Sequence, residues 1–407
     1  SAYLLASVVC LLPAGRAGDL YGRVRVFKVG AVVYTAASVF AVFTPSMPVL
    51  IALRVCQGVG SAMIFANSVA IITDLYPPGK RGYALGINVT AIYAGLSAGP
   101  VLGGIIAQFW GWRSIFIVTV LLGLVVIISF RRLPASFEER REGSFDLLGM
   151  ILSMLAVACL FYSLTSITQT IGLIALAGSG VLSIIFYFVE QRQPSPLVPL
   201  PLLRENILFL HSNLAALINY SATFAVSFLL SLYLQFIRGL EPAPAGLLLL
   251  AQPVMQVICS PLAGRLSDRA PAATVASVGM LATAASLLGL ATLDSATPFW
   301  RIGLLLAMLG AGLAFFSAPN TNVVMSCVGS DLYRCASALL ATMRNIGMIA
   351  SMGITMLVFS LLLGTTAVTP EVFPSLLQAI QLIFLAFFVL TLIGAALSWH
   401  RAGMVPR

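Results

Sequence analysis

Two arginines lie inside apolar segments that have no water to solvate a charge. Arg54 lies near the start of the segment 48–73, and Arg344 lies in the segment 336–364. An unpaired charge in a membrane span costs about 2.5–3.5 kcal/mol on insertion scales, so each guanidinium should face a partner or a wet cavity. Gln57, one turn from Arg54, can share its partner. Such a charge should attract a proton-bearing or anionic group and shape the electric field in the cavity. The alternative is a long side chain that extends to the membrane surface.

A short loop rich in glycine and charge joins the first two apolar segments and reads GRAGDLYGR over residues 15–23. Gly18 and Gly22 permit a tight turn there. Asp19 can pair with Arg23 or cap a helix N-terminus, and Asp74, at the end of a later apolar segment, is the expected partner in the same charge network. The alternative is a solvated turn.

Small residues recur every four positions in one long apolar segment. Gly95, Gly99 and Gly103 therefore share one helix face, and in lipid such a face lets a neighbouring backbone approach closely. Pro100 removes a backbone donor beside this face, and Gly104 follows it. The face is expected to pack closely on another helix, either as a sliding surface or as ordinary fixed packing.

Further polar residues are candidates for the wall of a substrate pathway. The stretch 317–322, which contains Pro319, is predicted to break its helix and expose amides. These amides either line the pathway or satisfy the backbone of the stretch itself. The pathway candidates are Gln57, Tyr220, Gln252, Asn320, Asn322 and Arg344, with Asn213, Asn219, Tyr233, Gln235 and Gln256 as weaker ones.

The sequence carries no nucleotide-binding, hydrolase or metal-binding motif, so we expect no enzyme, no cofactor and no metal site. All thirteen Asp and Glu residues fall in predicted loops or at segment ends. A proton antiporter needs a titratable group that both ligands can contest. That group either precedes Ser1, or Asp19, Asp74 and Arg54 carry the coupling, or the coupling is weak.

The elements that position these residues are predicted to be membrane helices. Hydrophobic residues make up 60% of the 407 residues and charged residues 9%, whereas a soluble domain carries about 25% charged residues. Segments long enough to span a bilayer fall near 2–15, 27–44, 48–73, 83–108, 113–130, 146–165, 171–189, 207–237, 244–264, 272–293, 300–326, 336–364 and 377–399. We expect one further helix before Ser1, for a total of fourteen.

The basic residues give the orientation and argue against a nucleic-acid partner, because they sit in short loops between apolar segments. Alternating the segments places seventeen of them on one side: Arg16, Arg23, Arg25, Lys28, Lys80, Arg81, Arg131, Arg132, Arg140, Arg141, Arg192, Arg204, Arg265, Arg269, Arg334, Arg401 and Arg407. The other side receives only Arg113, Arg238 and Arg301. The richer side, with the C-terminus, is predicted to be cytoplasmic.

A weak internal repeat indicates two related halves. The sequence PAGRAGD at 13–19 resembles PLAGRLSDR at 261–269, and duplicated bundles are common in transporters. We expect an N-terminal bundle over 1–132, a central segment over 133–206 with two extra helices and a Pro-rich linker, and a C-terminal six-helix bundle over 207–407.

Four sequence motifs together resemble one family. They are GRAGDLYGR at 15–23, LRVCQGVGSA at 53–62, GLSAGPVLGG at 95–104 and WGWRSIF at 110–116. They are similar to the signature loop, the fourth-helix motif and the antiporter motif of the fourteen-helix drug:proton antiporters of the major facilitator superfamily. The resemblance implies that the loop residues Gly15, Gly18, Asp19, Gly22 and Arg23 latch two bundles together and that Arg54 takes part in proton transfer. Tyr21 stands where the family more often has Arg.

The resemblance implies an all-α polytopic membrane protein with two six-helix bundles and two extra central helices. The implied function is proton-coupled export of amphipathic or cationic drug-like compounds by alternating access. The expected partners are a small-molecule substrate, protons and the lipid bilayer of the plasma membrane, with the protein as a monomer. Two alternatives stay open: a permease of the same fold for a metabolite, lipid or siderophore, and a sensor or scaffold that does not transport.

Overall fold

The computed structural model describes residues 2–77, 79–130, 146–165, 169–193, 204–329, 332–364 and 372–402, apart from some side chains within the helices. Every secondary-structure element in these ranges is a helix. The predicted all-α class is therefore confirmed.

The first half of the chain forms helices whose ends follow local sequence signals. They are α1 (Ala2–Val9), α2 (Leu11–Tyr21), α3 (Arg23–Val42), α4 (Met47–Leu75), α5 (Arg81–Trp110), α6 (Ser114–Ser129), α7 (Leu147–Thr165) and α8 (Thr170–Glu190). Gly22 (φ 94°) ends α2 and Gly111 (φ 79°) ends α5, because glycine adopts a positive φ without steric cost. Pro48 occupies the first turn of α4, where its missing N–H leaves no bond unmade.

The second half continues the helical pattern. Its helices are α9 (Ile207–Thr223), α10 (Val226–Leu232) with a π-helical turn at Tyr233–Ile237, α11 (Pro242–Leu249), α12 (Ala251–Arg269), α13 (Ala272–Ala291), α14 (Phe299–Ser326), α15 (Tyr333–Leu363) and α16 (Phe373–Ala402). The Asn206 side chain caps α9 by accepting the Phe209 amide at 2.9 Å. The break predicted at 317–322 is wrong, because α14 runs unbroken through Pro319.

Each predicted apolar segment coincides with one helix or with a pair of consecutive helices. Nine helices in the described ranges are long and apolar enough to cross a membrane, and Ser114–Ser129 and Leu147–Ser163 are shorter apolar helices. The segment 2–15 extends further than predicted, since α2 continues through Gly15 and Gly18 to Tyr21. Gly18 therefore lies within a helix, and the turn falls at Gly22 alone.

The two halves contact each other at one end of the bundle. We call the end at Tyr21, Leu75 and Arg269 the basic end, and the end at Val42 and Trp110 the opposite end. Across the halves, α5 packs on α12 and α14, and α2 and α4 pack on α15. The extra helices α7 and α8 pair with each other, and α7 touches α1 and α15.

The buried core shows the same asymmetry. Towards the basic end, Leu85 and Val69 of the first half share a cluster with Phe209 and Phe316 of the second. Towards the opposite end, the large cluster around Leu229, Phe384 and Phe387 consists of second-half residues alone. Apolar packing therefore joins the halves at the basic end.

Candidate functional site

Arg54 begins a line of polar contacts that runs from α4 into α3. It lies seven residues into α4, about 10 Å from the opposite end of that helix, and its side chain is exposed. Its Nη1 donates to Gln57 Oε1 at 3.2 Å, and buried Gln57 donates to Ser38 Oγ at 2.8 Å. The guanidinium also lies 4.9 Å from the centre of the Phe116 ring. A charge in a spanning helix is thus held by neutral donors, acceptors and an aromatic face.

The glycine-rich loop brings an ion pair between a buried arginine and a partly exposed carboxylate to the basic end. Arg23 is 8% exposed; its Nη1 pairs with Asp74 Oδ2 and donates to the Ala70 carbonyl at 3.4 Å. The side chain of Asp19 lies outside the part of the chain that the structure describes. Gly18 packs against Asn67. A Cβ at position 18 would overlap the Asn67 side chain.

Tyr333 connects this ion pair to the second half. The guanidinium carbon of Arg23 lies 5.7 Å from the Tyr333 ring centre, and that of Arg81 lies 5.3 Å from it. Tyr333 begins α15, so two first-half cations hold one second-half ring.

A second contact between the halves lies at the basic end, and the sequence did not predict it. Both carboxylate oxygens of Asp268 accept backbone amides of the first turn of α5, from Gly82 at 2.8 Å and from Tyr83 at 2.9 Å. The carboxylate thereby caps a helix of the other half and faces its positive dipole end. The signal was present, because Asp268 lies in the repeat of the loop that carries Asp19.

Glycines let α5 and α12 approach closely beside this cap. A Cβ at Gly264 would overlap the Gly82 carbonyl, and one at Gly86 would lie 2.6 Å from the Ser260 carbonyl. The Thr90 hydroxyl reaches the Val257 carbonyl at 3.4 Å. The close small-residue packing expected of α5 is therefore found near its start.

The described residues provide no neighbour for Gly95, Gly99 and Gly103 in this structure, so the close packing predicted for them stays a prediction. A Cβ at any of the three would meet no described atom within 4 Å. The glycine face that carries the motif is therefore unoccupied among described residues, since the halves meet at the basic end and this face lies further along α5. The side chain of Pro100 and the surroundings of Gly104 lie outside the description.

The second-half pathway candidates do not form one wall. Tyr220 and Arg344 are brought together, with the guanidinium carbon 5.7 Å from the ring centre. Asn320 is buried and donates to the Ser212 carbonyl at 3.2 Å, Asn322 donates to Ser267 Oγ at 3.3 Å near the basic end, and Gln252 accepts from Ser227 at 3.4 Å. Gln57 belongs to the Arg54 contacts instead.

In the described ranges no group of three or more metal-ligating side chains occurs. Among the described residues, the candidate site consists of two intramembrane cations, a set of charged contacts between the halves at the basic end, and a glycine face on α5 on which no described atom packs.

Comparisons with known proteins agree with this architecture. A family model, the Major Facilitator Superfamily, matches residues 1–352 and 213–403. The riboflavin transporter RibZ of Clostridioides difficile (strain 630) is 29% identical over 350 residues, which is 85% of this chain and 76% of that protein. The tetracenomycin C resistance and export protein of Streptomyces glaucescens is 31% identical over 353 residues, 85% of this chain and 65% of that protein.

This chain thus spans slightly less than two thirds of the tetracenomycin C protein's length. Among solved structures, the human organic anion transporter MFSD10 superposes with a TM-score of 0.71, covering 98% of this chain and 82% of that one at 16% identity. At that identity the likeness shows the fold alone.

Proposed function

The chain belongs to the Major Facilitator Superfamily, and we propose that it is a proton-coupled exporter of amphipathic drug-like compounds that works by alternating access. Membership makes it a multi-span membrane transporter of small molecules rather than a member of an enzyme family. The direction, the coupling ion and the cargo are the proposal.

One observation carries the proposal: the two halves are latched at the basic end, whereas no described residue of either half packs on the glycine face further along α5. At the basic end, Asp268 caps α5 and Gly264 touches the backbone of Gly82. Gly95 and Gly99, further along the same helix, meet no described neighbour. This asymmetry is what one state of an alternating-access cycle requires.

The other state follows from the same helix. If the halves rock about their centre, the latch opens and the free face at Gly95, Gly99 and Gly103 becomes the new contact, because small faces permit close backbone approach. The helix α5 would then have two alternative glycine contacts, one at the basic end and one at the face further along, and each would form in one of the two states.

Proton coupling is supported by the placement of charge. Arg54 is exposed within its span and bonded to Gln57, so a change in the charge near it acts directly on the α3–α4 contact. Asp74 pairs with Arg23 at the basic end, and Arg23 also lies over the second-half ring of Tyr333. Protonation of the Asp74 carboxyl would therefore release an arginine that contacts the other half. Asp19, Asp74, Arg23 and Arg54 are therefore our coupling network.

The remaining expectations are part of the proposal. The basic end faces the cytoplasm with the C-terminus, because Lys and Arg favour that side. The protein acts as a monomer in the plasma membrane, and the division at 132 and 206 separates the two bundles from the central helix pair.

The similarity to a riboflavin transporter favours a second candidate function, a permease for a planar metabolite. A transporter for drug-like compounds accepts several unrelated ring systems, whereas a metabolite permease accepts one. Competition among riboflavin and unrelated amphipathic dyes distinguishes the two.

The test is dye flux in proteoliposomes of the full chain. We expect riboflavin or a xanthene dye to cross when a pH gradient is imposed, and to stop when a protonophore collapses it. Dye binding without flux would contradict transport and favour a sensor; flux that ignores the protonophore would contradict proton coupling.

A further inference from the structure

Arg344 lies in a ring of neutral groups contributed by three helices. Its Nη2 donates to Thr321 Oγ1 on α14, and its guanidinium carbon lies 5.7 Å from the Tyr220 ring centre on α9. The Tyr220 hydroxyl in turn shares a hydrogen bond of 3.2 Å with Ser317 Oγ on α14. The cation is therefore surrounded by hydroxyls and an aromatic face.

The three helices that contribute this ring carry no carboxylate of their own. The sequence of α9, α14 and α15 contains no Asp or Glu. Arg344 takes part in no ion pair among the described residues, and its Nε is buried without a hydrogen-bond acceptor there. Asp74 is engaged by Arg23 and Asp268 by the amides of α5, both at the basic end.

The position of Arg344 makes that charge costly unless something else neutralises it. It lies eleven residues into α15, about 16 Å from the basic end of that helix, and its side chain is only half-buried. A charge at such depth requires a partner or a wet cavity. Arg has five N–H donors in a planar fork that matches a carboxylate, and Thr321 accepts only one of the bonds they can make.

We propose that Arg344, with Tyr220, Ser317 and Thr321, forms the subsite that binds the carboxylate or other oxyanion of an amphipathic organic anion. This inference rests on the proposed transport function and names its substrate class. The free donors of the guanidinium bind the oxyanion, and the Tyr220 ring lies beside the apolar body of the cargo. Arg54, the other intramembrane cation, adds a field of the same sign. The cationic cargo included in the sequence-based expectation is therefore replaced by an anionic one.

A matched pair of dyes tests the sign of the preferred charge. Fluorescein and rhodamine 123 share the xanthene ring system, but the first is an anion with a free carboxylate and the second a cation whose carboxyl is esterified. Binding to the purified full chain is measured by fluorescence anisotropy. We expect the wild type to bind fluorescein about tenfold or more tightly than rhodamine 123.

The variants separate anion recognition from structural support. R344Q should weaken fluorescein binding about 10- to 100-fold and leave rhodamine 123 binding unchanged, and R344K should weaken it less. Thr321→Val removes a neutral partner but keeps the charge, so the preference for fluorescein should persist. R301Q is the matched control: Arg301 lies in the first turn of α14 at the opposite end, bonded to Thr292, and both affinities should be unchanged.

Equal loss of both dyes in R344Q would overturn the inference, as would a wild type that prefers rhodamine 123 or binds neither dye. Dye flux in proteoliposomes separates this failure from that of the proposed function. If fluorescein binds in an Arg344-dependent way but neither dye crosses, transport fails and the subsite stands. If both dyes cross equally well in wild type and R344Q, transport stands and the subsite fails.

Discussion

At the residue scale, Arg54 is held by its planar guanidinium as well as by its charge. Arg54→Lys keeps the charge but loses the contacts with Gln57 and Phe116, and Arg54→Gln loses both. We expect both variants to lower pH-gradient-driven flux, Gln by about tenfold or more, since a charged hydrogen bond contributes about 1.5–3 kcal/mol. Dye binding in detergent should persist in both.

The control for Arg54 is Arg301→Lys, an arginine at the opposite end bonded to Thr292, which should retain wild-type flux. Full gradient-driven activity in Arg54→Lys would remove Arg54 from the coupling network. The search for the coupling group would then move to Asp19 and Asp74.

We expect substitution of Asp268 to weaken the contact between the halves at the basic end more selectively than other substitutions. Asp268→Asn removes the charge that faces the first turn of α5 and leaves one oxygen where two accepted amides. An N-terminal cap contributes about 0.5–2 kcal/mol, so the population opened at the basic end should rise about 2- to 30-fold. Thiol labelling of Ser260→Cys, a buried position beside Gly86, measures this in a background without native cysteines.

Asp294→Asn is the matched control for the latch. Its carboxylate accepts from Thr297 Oγ1 and the Ala296 amide within its own loop, and the Thr297 hydroxyl holds the pKa of Asp294 below its ordinary value. Because that loop lies at the opposite end, labelling of Ser260→Cys should not change. An unchanged labelling rate in Asp268→Asn would show that the cap does not hold the halves together.

At the element scale, α5 carries two glycine faces that we expect to act in opposite states. Gly264→Ala places a methyl group against the Gly82 backbone and should open the basic end, with faster labelling of Ser260→Cys. A Cβ at Gly99 meets no described atom within 4 Å, so we expect Gly99→Leu to insert and fold. The larger side chain should block the other state and abolish flux. Its labelling at Ser260→Cys should slow.

Wild-type flux in Gly99→Leu would contradict the two-state interpretation of α5 and would show that the glycine motif takes no part in the conformational change. Normal levels of folded protein in the membrane are the necessary control, and leucine is well tolerated in lipid.

The helices were predictable from sequence, and the contacts between them much less so. Hydropathy located every segment because bilayer thickness sets helix length. The helix break predicted at Pro319 was wrong, because tertiary packing keeps α14 helical through this residue. The turn predicted at Gly18 was also wrong. A glycine that permits a turn also permits close approach of another residue, and Gly18 lies in a helix against Asn67.

The candidate site shows the same limit. The proximity of Arg23 and Asp74 follows from their places at adjacent helix ends. The Asp268 cap joins residues 185 and 186 positions apart, and no local pattern specifies which helix a carboxylate will cap. Which element covers the face at Gly95 and Gly99 is likewise a matter of tertiary packing that no local sequence pattern specifies.

At the scale of the whole molecule, the distribution of basic residues predicts the orientation in the membrane. A cysteine placed in the loop 131–145 should react only with reagent on the cytoplasmic side, and one placed at 294–298 only from outside. The matched cysteines are single replacements in a background without native thiols. Labelling of either site from both sides would overturn the assignment of the spans.

The central claim is that transport requires the basic end to open. Arg265 and Tyr83 face each other across the two halves, with 4.5 Å between the guanidinium carbon and the ring centre. In Tyr83→Cys/Arg265→Cys, a short thiol-to-thiol reagent cleavable by reduction should abolish dye flux, and reduction should restore it, while each single-cysteine variant treated alike keeps its flux. Undiminished flux in fully cross-linked protein would contradict alternating access through the α5–α12 contact.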